Sequence, residues 1–215
     1  MNIKFGAIKA VGFDLDRTLY SDSSEIYQRV TAQVALAILS KKPELESVEK
    51  VREIYEKEAI RSGSWPKVLE KLGFSDPVKV VHQSLERANI VELIPRDEKL
   101  VGIVERLHAK YFLFLITGSA RSFALQVLGK IGIDFRMFQF SSFGDNLRNK
   151  DLEVFRRFLE QSMFIPSEHV YVGDNPKTDI FIPRSLGMKA IAVGKHIEEA
   201  DYSVRYIHEI EGLLL

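Results

Sequence analysis

At 215 residues the chain is long enough for one good hydrophobic core plus a smaller appended domain. Its 30 basic residues balance 30 acidic ones with no dense basic run, which argues against nucleic acid as the main partner. The absence of cysteine excludes disulfides, thiolate nucleophiles and thiolate metal sites, so any metal must be held by oxygen or imidazole, and it fits a cytoplasmic location.

The first 13 residues, MNIKFGAIKAVGF, are interrupted by Lys4 and Lys9, so they read as a core strand and not as a cleavable signal. The strand runs into FDLDRTLY, residues 13–20, which sets Asp14 and Asp16 one residue apart where the chain turns. Open α/β sheets bind ligands outside the carboxyl ends of their strands, so a carboxylate there is a candidate nucleophile or metal ligand. Residues 20–94 then carry helical periodicity with no convincing strand. Ile26, Val30, Val34 and Ile38 line one face, Val51, Ile54 and Tyr55 another, and Val81 with Leu85 a third. Loop signals fall at 41–43, 62–66 and 74–77, and the single tryptophan, Trp65, lies in the second of these, RSGSWPK.

From Pro95 onward, strand-like and helix-like runs alternate. Leu100, Ile103, Val104 and Leu107 recur at helical spacing, and residues 111–117, YFLFLIT, form a continuous apolar strand ending in Thr117, Gly118 and Ser119. That run is far short of the ~20 residues needed to cross a bilayer, so no membrane association is expected. A helix over 121–131 leads to a strand at 137–141, and Leu152, Phe155, Leu159 and Met163 mark the next helix. Strands follow at 169–172 and 189–193, the first of them running into Gly173, Asp174 and, five residues on, Asp179. Five strands of this kind predict an α/β fold, a doubly wound, Rossmann-like parallel sheet formed by 1–19 and 95–215. The all-helical domain, 20–94, is inserted after the first strand.

Each strand end that could meet at one edge thus carries a polar group suited to phosphate chemistry. Asp14, Asp16 and Thr18 in DLDRT, Thr117 in LITGS, Lys150 in RNKDLEVF, and Asp174 with Asp179 in VGDNPKTD follow one another in order. This set resembles the haloacid dehalogenase superfamily, whose phosphatases carry a DxDx[TV] motif, a Thr or Ser closing the second strand, a Lys, and an acidic GDxxxxD motif. Taken singly, each has a structural explanation: Asp14 and Asp16 a turn or helix cap, Thr117 a strand end, Lys150 a solvated helix start. Together, in this order on predicted strand ends, they point to chemistry.

The resemblance implies a magnesium-dependent phosphatase acting on a small-molecule phosphate ester, with residues 20–94 as a helical cap over the crevice. A phosphate brought up to several carboxylates needs a small hard dication with oxygen ligands, which fits Mg2+. The expected ligands are the Asp14 and Asp174 carboxylates and, by family likeness, the Asp16 backbone carbonyl, with Asp179 supporting them from behind. Asp14 would be the nucleophile and Asp16 the acid and base. Thr117, Gly118 and Lys150 would bind the transferring phosphoryl group. Arg17 stands where many members have Gly, and it and Trp65 are candidate substrate contacts, with Arg61, Ser64 and Lys67 beside Trp65. Arg148 and Lys177 are alternative cations to Lys150. The five histidines lack a paired spacing, and none is expected to bind metal.

A phosphomutase would use the same Asp14, and a catalytically silent binding or regulatory module would keep the fold alone. Dehalogenases of the superfamily lack the second Asp, so Asp16 argues against them. Phosphoglycolate, sugar phosphates and nucleotides all suit such a site. Monomer and homodimer are both compatible with the sequence.

Overall fold

The computed structural model describes residues 7–62, 65–144 and 150–215. By compactness the chain divides into two units, one of residues 22–93 and one of 1–21 with 94–215.

The second of these units is built on a six-stranded sheet. Strand β1 (Ala10–Phe13) lies at its centre, flanked by β2 (Phe112–Ile116) and β4 (His169–Gly173). Outside β2 lies β3 (Phe140–Ser142), and outside β4 lie β5 (Lys189–Val193) and β6 (Tyr202–Val204). The order β3-β2-β1-β4-β5-β6 is parallel throughout and reverses direction of winding between β1 and β4. That is the Rossmann-like order, and its switch point is where ligands bind.

β1 and the last four residues of β2 are fully buried, as expected for strands covered on both faces. Ala10, Phe114, Ile116 and Tyr171 line one face and pack against Phe155 and Phe158 of α7 (Leu152–Gln161) and Ile182 of α8 (Ile182–Ser185). The rings of Phe114 and Phe158 stack with centroids 4.0 Å apart. Gly12 sits under the Phe114 ring, where any Cβ would overlap it. Helix α5 (Glu98–His108) buries Leu100, Ile103, Val104 and Leu107, and α6 (Arg121–Ile131) buries Phe123, Ala124, Val127 and Leu128.

This unit differs from the sequence expectation in three places. β3 begins at Phe140, because Asp134 accepts from the Arg136 N–H and winds Phe135–Met137 into a 3-10 turn. Helix α7 stops at Gln161: Ser162 is extended, its hydroxyl engaged by His169 and by the Phe164 N–H, and Met163 is left 89% exposed. β6, at the sheet edge with Tyr202 and Ser203 half-buried and Val204 buried, adds a sixth strand.

The unit of residues 22–93 contains, among its described residues, helices and no strand. They are α1 (Ser24–Lys41), α2 (Val48–Ser62), α3 (Trp65–Lys71) and α4 (Pro77–Ala88). Ser23 caps α1 by accepting from the Ile26 N–H, and Asp76 caps α4, whose first residue is Pro77. Val34, Ala35, Ile38, Val51, Tyr55, Ala59, Val68 and Leu69 form its own core. Ile54, read from the sequence as a core position, is 46% exposed, one residue off the buried Val51 and Tyr55 stripe. α2 runs to Ser62 and α3 starts at Trp65, so positions 62, 65 and 66, read from the sequence as loop, are helical.

The candidate active site

Asp14 follows β1 directly, and its N–H donates to the Val172 carbonyl at 2.9 Å, so the pairing of β1 with β4 carries on through the first candidate residue. The chain then turns. The Thr18 and Leu19 N–H groups both return to the Leu15 carbonyl, and Arg17 takes a left-handed φ of +57°. Only glycine adopts that conformation without steric cost, which is the physical reason an arginine is unusual there.

Asp14 is 5% exposed. One oxygen accepts from Lys150 Nζ at 2.5 Å and the other from the Thr18 hydroxyl at 3.3 Å. Lys150 also pairs with Asp179 and lies 5.5 Å from the centre of the Tyr171 ring. Burial pushes the Asp14 carboxyl up to about 8 against the pull of Lys150, with Asp179 and Asp16 adding to the rise. Burial by itself lowers the Lys150 pKa, but Asp14 and Asp179 hold it well above the ordinary lysine value.

Asp174 follows β4, and its Oδ2 lies 3.2 Å from Arg17 Nε. Burial raises its carboxyl above the usual range, with Arg17 opposing. Asp179 is fully buried on a π-helical segment, Pro176–Phe181. It accepts from the Asn175 N–H and the Thr178 hydroxyl, both at 2.9 Å. Gly173 makes this possible, because a Cβ there would collide with the Asp179 side chain.

The carboxylates of Asp14, Asp174 and Asp179 offer oxygen atoms all within 4.8 Å of one another. With Asp16, four carboxylates gather near two cations, Lys150 and Arg17. The donors are hard oxygens and the local charge is negative, so the residues fit a small hard dication such as magnesium.

Asp16 is turned elsewhere. Tyr20 donates its hydroxyl to one oxygen at 2.7 Å and Ser119 donates to the other at 2.6 Å, with Thr117 Oγ1 at 3.5 Å. Thr117 directly follows β2, its N–H on the Ser142 carbonyl, and its hydroxyl accepts from the Ser119 N–H at 3.1 Å. Gly118 is exposed beside it.

Asp14, Lys150, Asp174 and Asp179 therefore meet in one cluster, while Thr117 touches Asp16 alongside it. Lys177 is exposed, and Arg148, Ser64 and the Trp65 side chain lie outside the described residues. Tyr20, Ser119 and Tyr171 were given no role from the sequence, although Ser119 was named at the end of the second strand. Ser119 sits two residues after Thr117, but nothing in one sequence shows that its hydroxyl reaches back across 103 positions to Asp16.

Residues 11–193 match the protein family described as haloacid dehalogenase-like hydrolase. No curated protein matches the sequence. Among solved structures, a HAD phosphatase from Thermococcus onnurineus is similar at 19% identity, with 94% of this chain and 96% of that one covered and a TM-score of 0.66. A 2-haloacid dehalogenase from Pseudomonas syringae pv. Tomato DC3000 matches at 22% identity over 96% and 97%, TM-score 0.58. YfnB from Bacillus subtilis, solved bound to magnesium, matches at 15% identity over 96% and 98%, TM-score 0.64. At these identities the likeness is one of fold.

Proposed function

Because the chain belongs to the haloacid dehalogenase-like hydrolase family, we propose that it is a magnesium-dependent phosphatase that hydrolyses a small soluble phosphomonoester through an aspartyl phosphate. The strongest support is that its two leading carboxylates sit in different surroundings. Asp14 lies against the Lys150 ammonium, whereas Asp16 is held by neutral hydroxyls. One is suited to be a nucleophile and the other to carry a proton.

In this reading an Asp14 oxygen attacks phosphorus and the ester P–O bond breaks. Its electron pair leaves on the ester oxygen, which takes the Asp16 proton and departs as the alcohol. Asp16, now ionised, takes a proton from the water that attacks the aspartyl phosphate. Inorganic phosphate leaves, and Asp14 returns as a carboxylate. Lys150, the Thr117 hydroxyl and the Gly118 N–H hold the equatorial oxygens as the phosphoryl group flattens, each donor being worth roughly 3 to 4 kcal/mol. Asp14, Asp174 and the Asp16 backbone carbonyl would hold magnesium, with Asp179 fixing Lys150 behind them. Bound there, the ion neutralises carboxylate charge against the incoming phosphate and polarises a phosphoryl oxygen.

The test is phosphate release from a panel of small phosphomonoesters, with magnesium and with EDTA, for the wild type and Asp14→Asn. Metal-dependent release that the variant loses is expected. A 2-haloacid belongs in the same panel. Halide release that needs no metal, with no phosphate release from any ester, would replace this reading with dehalogenation.

A further inference from the structure

Resting on the phosphatase reading, we infer that Ser119 and Tyr20 are positioning residues that aim the Asp16 carboxyl at the departing oxygen. Each oxygen of Asp16 has its own hydroxyl donor: Tyr20 on Oδ1 at 2.7 Å and Ser119 on Oδ2 at 2.6 Å. With both oxygens taken, rotation about the Cβ–Cγ bond breaks two good hydrogen bonds at once. The carboxyl plane is therefore fixed, although Asp16 itself is only partly buried.

The donors are themselves anchored. Ser119 is 4% exposed; its N–H is on Thr117 Oγ1 at 3.1 Å, and its carbonyl accepts from the Gly144 N–H at 2.9 Å. Tyr20 is 8% exposed and follows the turn closed on the Leu15 carbonyl. One donor thus comes from the turn after β1 and the other from the loop after β2, so Asp16 is held from two sides.

The chemical type matters as much as the geometry. A lysine or arginine can only donate, and it loses its ionic partner once the carboxylate is protonated. A hydroxyl donates to the carboxylate and accepts from the carboxylic acid, so the hold on Asp16 survives when its proton moves to the leaving group and comes back. Asp14, which in the proposed reaction never carries a transferable proton, has a lysine instead.

A positioning role separates from a merely structural one by leaving group. An aryl phosphate such as p-nitrophenyl phosphate departs without a proton; an alkyl phosphate does not. The informative quantity is kcat/KM, which covers phosphoryl transfer to Asp14 and excludes the later hydrolysis common to both esters. Ser119→Ala and Tyr20→Phe are each expected to lower kcat/KM for the alkyl ester by about 10- to 100-fold, and that for the aryl ester by less than about threefold. Asp16→Asn sets the upper limit of the selective loss. Equal losses on both esters, or no loss on either, would overturn the inference. The two substitutions lie in different segments, so if one fails to fold by circular dichroism the other still decides. A wild type inactive on every phosphate ester would instead remove the phosphatase reading itself.

Discussion

Lys150 is the residue on which most of the local charge balance depends. Its side chain is 8% exposed and touches two buried carboxylates, so Lys150→Met would leave Asp14 and Asp179 facing each other without a counter-charge. Breaking a buried pair from one side costs about 3 to 5 kcal/mol. Urea unfolding at alkaline pH should report a loss of that size, shrinking as pH falls through about 8 and Asp14 takes up a proton. Arg17 gives an opposite case. Arg17→Gly relieves the left-handed backbone but gives the unfolded chain more freedom, so stability should change by less than about 1 kcal/mol. Removing a half-exposed guanidinium from Asp174 should tighten magnesium binding by about two- to fivefold, measurable by calorimetry. His169 is fully buried, with one ring nitrogen on the Ile165 carbonyl and the other on the Ser162 hydroxyl. The first partner can only accept, so the neutral ring donates there and accepts from serine. Burial accordingly lowers its pKa below the usual histidine value. The unfolded chain then binds the proton more readily, and stability present above pH ~6.5 is lost as pH falls through the folded pKa. His169→Gln should be less sensitive than the wild type between pH 7 and 5 by thermal melting.

Among the elements, α7 joins core to site, since its capping residue, Asp151, directly follows Lys150. Asp151 caps it by accepting from the Glu153 and Val154 N–H groups, at 3.1 and 3.2 Å. Its Phe155 and Phe158 sit under Phe114 and Tyr171. Phe158→Ala should cost about 3 to 5 kcal/mol, and Asp151→Ala about 1 kcal/mol, in chemical denaturation. The elements legible in the sequence were those with a long apolar or periodic signal. β2 is a continuous apolar run, β5 is apolar from Ala190 on, and α6 has a stripe ending at Gly132 with a φ of +103°. What escaped was short or set by tertiary contacts. β6 has three residues and no pattern, and α7 loses its last predicted turn to a hydroxyl that prefers His169. In the candidate site, Asp14, Asp16, Lys150 and Asp174 could be named as candidates because each stands at the end of a strand or the start of a helix. Ser119 and Tyr20 could not, because a hydroxyl has no sequence signature for the partner it meets in space.

For the whole molecule, gathered carboxylates make metal and proton compete. Asp14 is raised to about 8, so the metal-free fold keeps its proton where the unfolded chain has lost it. That contribution to stability is complete below the unfolded value near 3.8 and disappears as pH rises through about 8. A cation must displace this proton to bind, so the rise in melting temperature on adding magnesium, and its loss with EDTA, should grow from pH 5 to pH 8. A shift independent of pH would show that the ion sits elsewhere. No helix among the described residues is long and apolar enough to cross a membrane. One consequence of the ladder that runs past the end of β1 concerns time. The Asp14 amide is paired to Val172 between the two central strands, and the residues around it are buried. In deuterated solvent it should be among the last protons to exchange, at the rate of global opening. The atom proposed to do the chemistry is thus tied to the slowest-moving part of the chain, and an exchange experiment read at that one amide would measure the stability of the whole sheet.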